Sequence, residues 1–119
     1  MLQNIPEKLY HKAPPHVRNY IKEQGLVPYV GDSYAMHWED KVDISKLRPY
    51  VFLYDKNVSE YDSTWDDDIW EVETKLLNKN LLMPDPDIGM YENLGCYVYP
   101  VVIEPNKIKL VYKGTGKSY

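Results

Sequence analysis

Lys8-Leu9-Tyr10-His11-Lys12-Ala13-Pro14-Pro15-His16-Val17-Arg18-Asn19-Tyr20-Ile21-Lys22-Glu23-Gln24-Gly25-Leu26 changes its period partway along. Lys8–Lys12 carries two adjacent rings, Tyr10 and His11. It halts at a Pro-Pro pair that cannot donate to a sheet ladder, so it reads as a first strand. Pro15 suits the first turn of a helix. Beyond it Val17, Tyr20, Ile21 and Gln24 recur at helical spacing, with Arg18, Lys22 and Glu23 off that stripe. Gly25 is a C′ residue that ends the helix in a left-handed turn. One strand followed by one helix is thus the first unit of the chain.

After this unit the pattern turns to strands. Leu26–Val30 is a short extended piece interrupted by Pro28, and Gly31-Asp32-Ser33 is turn material. Tyr34–Asp40 reads as a short helix or an ordered loop. Tyr50–Tyr54 (YVFLY) is a continuous apolar run, as expected of a strand buried on both faces. Ile69–Thr74 (IWEVET) alternates, with Ile69, Glu71 and Glu73 on one side and Trp70, Val72 and Thr74 on the other. Lys75–Met83 is read as a single helical turn and Met83–Gly89 as a loop. Cys96–Ile103 (CYVYPVVI) reads as a strand whose Pro100 demands an edge or a bulge. Lys107–Tyr112 alternates as a last strand, and Lys113–Tyr119 is expected to be a loose polar tail. The order gives an α+β class: a small, mostly antiparallel sheet with one or two helices. It predicts a single domain over 1–119 with its core at about 8–112.

Composition limits the function classes. Of 119 residues, 44% are hydrophobic and 27% charged, as in an ordinary folded domain. A single cysteine, Cys96, excludes an internal disulfide framework and fits a reducing compartment. Met1–Tyr10 has no apolar core of a signal peptide, and no apolar run approaches the ~20 residues of a membrane span. The expectation is a cytoplasmic protein with no membrane partner. A net charge of −4 gives no general attraction for nucleic acid. The Lys107, Lys109, Lys113 and Lys117 cluster reads as a lysine-blunted strand edge rather than a basic patch. There are 12 Tyr against 1 Phe, which suits strands that are half covered, or a binding surface.

Several motifs fail on chemistry. Gly114-Thr115-Gly116-Lys117-Ser118 lacks the first glycine of a phosphate loop, Val111 standing there, and no helix follows. His11, His16 and His37 have no zinc-ligand spacing with Cys96 or each other, so no structural metal is expected. Asp62, Asp66, Asp67 and Asp68 do not follow a calcium-loop pattern and read as a solvated acidic turn. Their alternative role is an acidic surface for a basic partner. Cys96 reads as a small buried hydrophobe rather than a nucleophile.

Three segments carry a family resemblance. Lys8-Leu9-Tyr10-His11, with the helix and Gly25-Leu26 step after it, is similar to the opening of histidine-class ADP-ribosyltransferases and the related RNA 2′-phosphotransferases. Tyr50–Asp55 (YVFLYD) resembles their second core strand. Gly95–Pro100 and Val102–Ile108 resemble their final strand pair. The resemblance implies an ADP-ribosyltransferase-like fold that takes NAD as co-substrate.

By that resemblance His11 would hold the NAD ribose, and its ring nitrogens suit hydroxyl groups. Tyr54, with Tyr50 as the alternative, would stack on nicotinamide, and Tyr10 would line the same site. The family's glutamate is expected just before Tyr97, where this chain has Cys96. Glu92 is the best available carboxylate, since Glu71 and Glu73 lie on another strand. A phosphotransferase-like variant would rely on basic residues instead; Lys8, Lys12 and Arg18 lie near the start of the pattern, and the resemblance assigns none of them a place in the site. The function so implied is cleavage of the nicotinamide glycosidic bond and transfer of ADP-ribose to a protein or nucleic-acid target. The alternative is a non-enzymatic, acidic, tyrosine-rich protein-binding module, such as an inhibitor carried by a phage or mobile element. The residue at position 96 separates the two, because transfer without a glutamate should be crippled.

Overall fold

Proline and glycine set the limits of the first elements. The computed structural model describes residues 5–28, 50–55, 66–84 and 95–117. β1 (Lys8–Ala13) stops at Pro14, a 3₁₀ turn covers Pro15–Val17, and α1 runs Arg18–Gln24. Gly25 ends α1 at φ 81°, and a Cβ there would sit 2.1 Å from the Ile103 carbonyl oxygen. Leu26 and Ile103 then exchange backbone hydrogen bonds of 2.9 and 3.0 Å. No residue with a side chain fits both that φ and that approach.

The remaining strands are β2 (Val51–Tyr54), β3 (Asp68–Glu73), β4 (Met83–Pro84), β5 (Cys96–Tyr99) and β6 (Ile108–Tyr112). They form one six-stranded sheet in the order β4-β5-β2-β1-β3-β6, every pairing antiparallel. With one short helix against it, this is the α+β arrangement read from the sequence.

Strand alternation places the core on one face. Leu9, Val51, Leu53, Trp70, Val72, Tyr97 and Tyr99 share it, and Ile21 of α1 packs there with Leu26 and Ile103. A 3₁₀ turn at Thr74–Leu76 leads into Leu77 and Leu82, which close one end. Asn78 N–H donates to the Tyr99 hydroxyl at 2.9 Å, so this buried tyrosine has a partner for its polar tip.

Six expectations need correction. Met83–Pro84, read as loop, pairs with β5 as a short strand. β2 is buried on one face rather than two, with Val51 and Leu53 buried and Phe52 and Tyr54 half-buried. The apolar stripe on α1 is narrower than its spacing implied: Ile21 is buried, but Tyr20 is 55% exposed and Gln24 is exposed. A seven-residue helix offers one inward corner, and docking rather than periodicity chooses it. Pro100 does not sit within a strand, because β5 ends at Tyr99 and Val101 and Val102 are exposed. The expected loose tail is pinned at Gly114–Lys117 by the hydrogen bonds described below. The acidic turn is not solvated: Asp66 is 9% and Asp68 0% exposed. The readings at Tyr34–Asp40, His37, Asp62 and Glu92 lie outside the described residues.

Candidate functional site

His11 is buried on the core face of β1, flanked by Leu9 and Ala13 on the same side. β1 and β2 share one registered pair, Tyr10 opposite Tyr54. The His11 ring spans the strands beside it: Nδ1 donates to the Phe52 carbonyl at 2.7 Å. A carbonyl accepts only, so Nδ1 carries the proton of the neutral ring. Burial lowers the His11 pKa below 6.5, and the bond to Phe52 offsets part of that. The ring is therefore neutral at pH 7. Trp70 stands opposite His11 on β3, and among the described residues its buried Nε1 has no hydrogen-bond partner.

The other face carries a row across five strands. Cys96 pairs with Tyr54, Tyr54 with Tyr10, Tyr10 with Glu71, and Glu71 with Lys109. Tyr10 and Tyr54 are half-buried there, and Lys8 reaches Glu71 at 3.4 Å. Tyr10, Tyr54 and the Cys96 position thus share one side. His11 lies on the opposite side of the same junction, tied to the β2 backbone. Glu92 lies outside the described residues. Glu71 is the carboxylate that sequence reasoning set aside. Its side of the strand was legible from alternation, but its neighbour Tyr10 was not, because register is set by pairing.

A second polar cluster sits where β3 begins. Asp68 accepts a two-pronged bond from Arg18, with Nε at 2.7 Å and Nη2 at 2.8 Å, and a third from the Gly114 amide at 2.9 Å. Burial alone would push the Asp68 carboxyl up. The Arg18 fork and the Gly114 amide, with the charges of Arg18 and Lys113, outweigh it and hold the group below the usual carboxylate value. Asp66 accepts from the Tyr112 hydroxyl at 2.6 Å, the Thr115 amide at 2.9 Å and the Thr115 hydroxyl at 2.8 Å. Its backbone receives the Gly116 amide and donates to the Lys117 carbonyl. The amides of Gly114, Thr115 and Gly116 are all engaged within the fold, so this glycine tail cradles no phosphate. It is a strap.

Arg18 is spoken for by Asp68, which removes it from the basic residues a phosphotransferase-like site would draw on. Among the described residues no group of His, Cys, Asp and Glu is arranged to hold a metal ion, and no helix is long and apolar enough to cross a membrane. Compared with known protein families, curated proteins and solved structures, the chain matches none.

Proposed function

We propose that the chain is an ADP-ribosyltransferase-like protein that binds NAD, or a nucleotide built like it, where β1, β2 and β5 meet, and that it transfers ADP-ribose feebly or not at all. The observation that supports this reading is a coincidence of position. The three positions singled out by the resemblance, His11, Tyr54 and Cys96, come from three far-apart stretches of sequence. They fall on neighbouring strands, with Cys96 opposite Tyr54 and the His11 ring fixed against β2. The buried His11 ring, tied by Nδ1–H to the Phe52 carbonyl, would hold the β1–β2 junction in place beside the nucleotide. Tyr54 offers a half-buried aromatic surface for a flat heterocycle.

Position 96 limits the chemistry. A glutamate there would hold ribose hydroxyls and stabilise the positive charge that develops as the glycosidic bond breaks. A thiol has no carboxylate oxygens with which to do either. The alternative of an acidic protein-binding surface is weakened, because Asp66 and Asp68 spend their carboxylates internally.

The test is a thermal-shift titration with NAD on wild type, Tyr54→Ala and His11→Asn, paired with an assay for released nicotinamide. Ligand linkage raises the wild-type melting temperature, by about 1.4 kcal/mol of stability at ten times Kd, and the variants lose that shift. Nicotinamide release is absent or slow in wild type and rises in a folded Cys96→Glu variant. An unchanged melting temperature with millimolar NAD removes the nucleotide reading.

A further inference from the structure

β6 is the long edge of this sheet; the other edge, β4, has two residues. One side of β6 is zipped to β3 from Val72 opposite Ile108 to Ile69 opposite Tyr112, with an irregularity between Ile69 and Trp70. Among the described residues no strand pairs with its other side, which makes β6 an edge of the sheet. Val111 and Tyr112 are 43% and 45% exposed on this strand. Lys109 is exposed within it, and Lys113 and Lys117 follow. Lys107 is paired with Glu104 at 2.9 Å, whereas Lys109, Lys113 and Lys117 enter no ion pair among the described residues.

Lysines on an edge ordinarily do no more than discourage self-pairing. This edge has a second property. The strap fastens its far end, since Asp66 holds Tyr112 and Thr115, Asp68 holds Gly114, and the Asp66 backbone holds Gly116 and Lys117. Ile108–Lys117 is therefore fastened at both ends, by β3 pairing along β6 and by Asp66 and Asp68 beyond it. A segment already ordered loses little conformational freedom when a partner docks.

We infer that β6 is a docking edge for an extended acidic segment of a partner protein, which adds as a seventh strand. Main-chain hydrogen bonds supply the pairing, apolar side chains of the guest cover Val111 and Tyr112, and its carboxylates meet Lys109, Lys113 and Lys117. A second copy of this chain is the wrong guest, because β6 against β6 sets lysines facing lysines. This inference is independent of the nucleotide reading, since β6 and the β1–β2–β5 junction use different strands.

The probe is a synthetic ten-residue peptide alternating glutamate and valine, titrated into isotope-labelled full-length protein and followed by backbone amide shifts. The expected result is saturable shifts confined to β6 and Lys113–Lys117. Binding weakens at least tenfold in the Lys109→Gln/Lys117→Gln double variant, whose fold is checked by an unchanged spectrum elsewhere. A peptide of the same charge, N-methylated at alternate residues, cannot pair as a strand and fails to bind. Equal binding of the N-methylated peptide reduces the edge to a charge effect and overturns the inference. So does the absence of shifts at millimolar peptide, or an acidic single-stranded oligonucleotide producing the same shifts more tightly.

Discussion

β1 is held differently on its two sides. Towards β3, six consecutive residues are registered, from Lys8 opposite Glu73 to Ala13 opposite Asp68; towards β2, Tyr10 alone meets a partner. The sheet is thus two three-stranded pieces, β1-β3-β6 and β4-β5-β2. Among the described residues a shared core face, the Tyr10–Tyr54 pair and the His11–Phe52 hydrogen bond help to join them. The first piece is fastened again by Asp66 and Asp68. With one registered pair against six, the β1–β2 seam, where His11 and Tyr54 sit, is the side of β1 expected to open more readily.

The largest effect is expected on the strapped side. Asp68→Ala removes a fully buried carboxylate and leaves the Arg18 guanidinium and the Gly114 amide without their partner. Breaking a buried pair from one side costs about 3–5 kcal/mol. Urea unfolding should show a loss near the lower figure, since Arg18 keeps some exposure to water. Amide exchange should accelerate at α1 and Gly114–Lys117 together, because one side chain fastens both. A loss confined to one of those segments breaks the picture of a common anchor.

His11→Ala acts on the seam. It removes the ring that ties β1 to β2 and its hydrogen bond to the Phe52 carbonyl, at a cost of about 2–3 kcal/mol. Exchange should accelerate in β2 and β5 more than in β3 and β6. Acid acts through the same group. Its folded pKa is lowered, so the unfolded chain takes the proton first. The His11 contribution is complete above its ordinary value of 6.5 and is lost as pH falls below it. Asp68 behaves oppositely in range: its pKa is lowered from 3.8, so its contribution is present above 3.8 and is lost only as pH falls further. Wild-type stability should therefore decline in two stages, first at the seam and then at the strap. His11→Ala should abolish the first stage and keep the second.

Gly114→Ala is the smaller perturbation of the strap. A Cβ at this position would lie 2.0 Å from the Asp66 carbonyl oxygen, so backbone must shift. Overpacking of this kind costs about 1–3 kcal/mol. The effect should appear chiefly as faster exchange at Thr115, Gly116 and Lys117, with the seam unchanged. The same variant should weaken the acidic peptide at β6 if the edge needs its fastened end.

How much of this was legible follows from what each feature depends on. β3 was readable because Ile69–Thr74 alternates and its two sides differ in polarity, which local sequence controls. The break at Pro14 and the stop at Gly25 follow from backbone chemistry carried by single residues. The inward face of α1 was misread because Tyr20 and Ile21 differ little in apolar character, and tertiary docking decides between them. Asp66–Asp68 was misread for a stronger reason. Its partners Arg18, Tyr112, Gly114 and Thr115 lie between 46 and 50 residues away, and nothing in three adjacent aspartates announces them. The site followed the same division: His11, Tyr10 and Tyr54 were singled out by residue type and motif. That His11 faces away from Tyr10 follows from strand alternation, whereas that Tyr54 lies beside Tyr10 could come only from register.

The smallest effect tests the tyrosine face directly. Lys8 and Glu71 approach to 3.4 Å, with the lysine side chain 51% and the glutamate 17% exposed. A half-exposed pair of this kind contributes between zero and about 1 kcal/mol, so Lys8→Gln should leave unfolding almost unchanged. Its value lies in what happens to Glu71. With Lys8 neutral, the carboxylate beside Tyr10 keeps Lys109 as its nearest cross-strand cation, though the two form no ion pair at present. If the tyrosine face is the nucleotide side of the seam, removing the Lys8 charge should weaken NAD a fewfold, as phosphate loses a nearby cation, while the melting temperature without ligand stays put. If NAD affinity holds in Lys8→Gln but falls in His11→Asn, the nucleotide enters from the core face of β1 instead, and Tyr10, Tyr54 and Glu71 are neighbours by pairing alone.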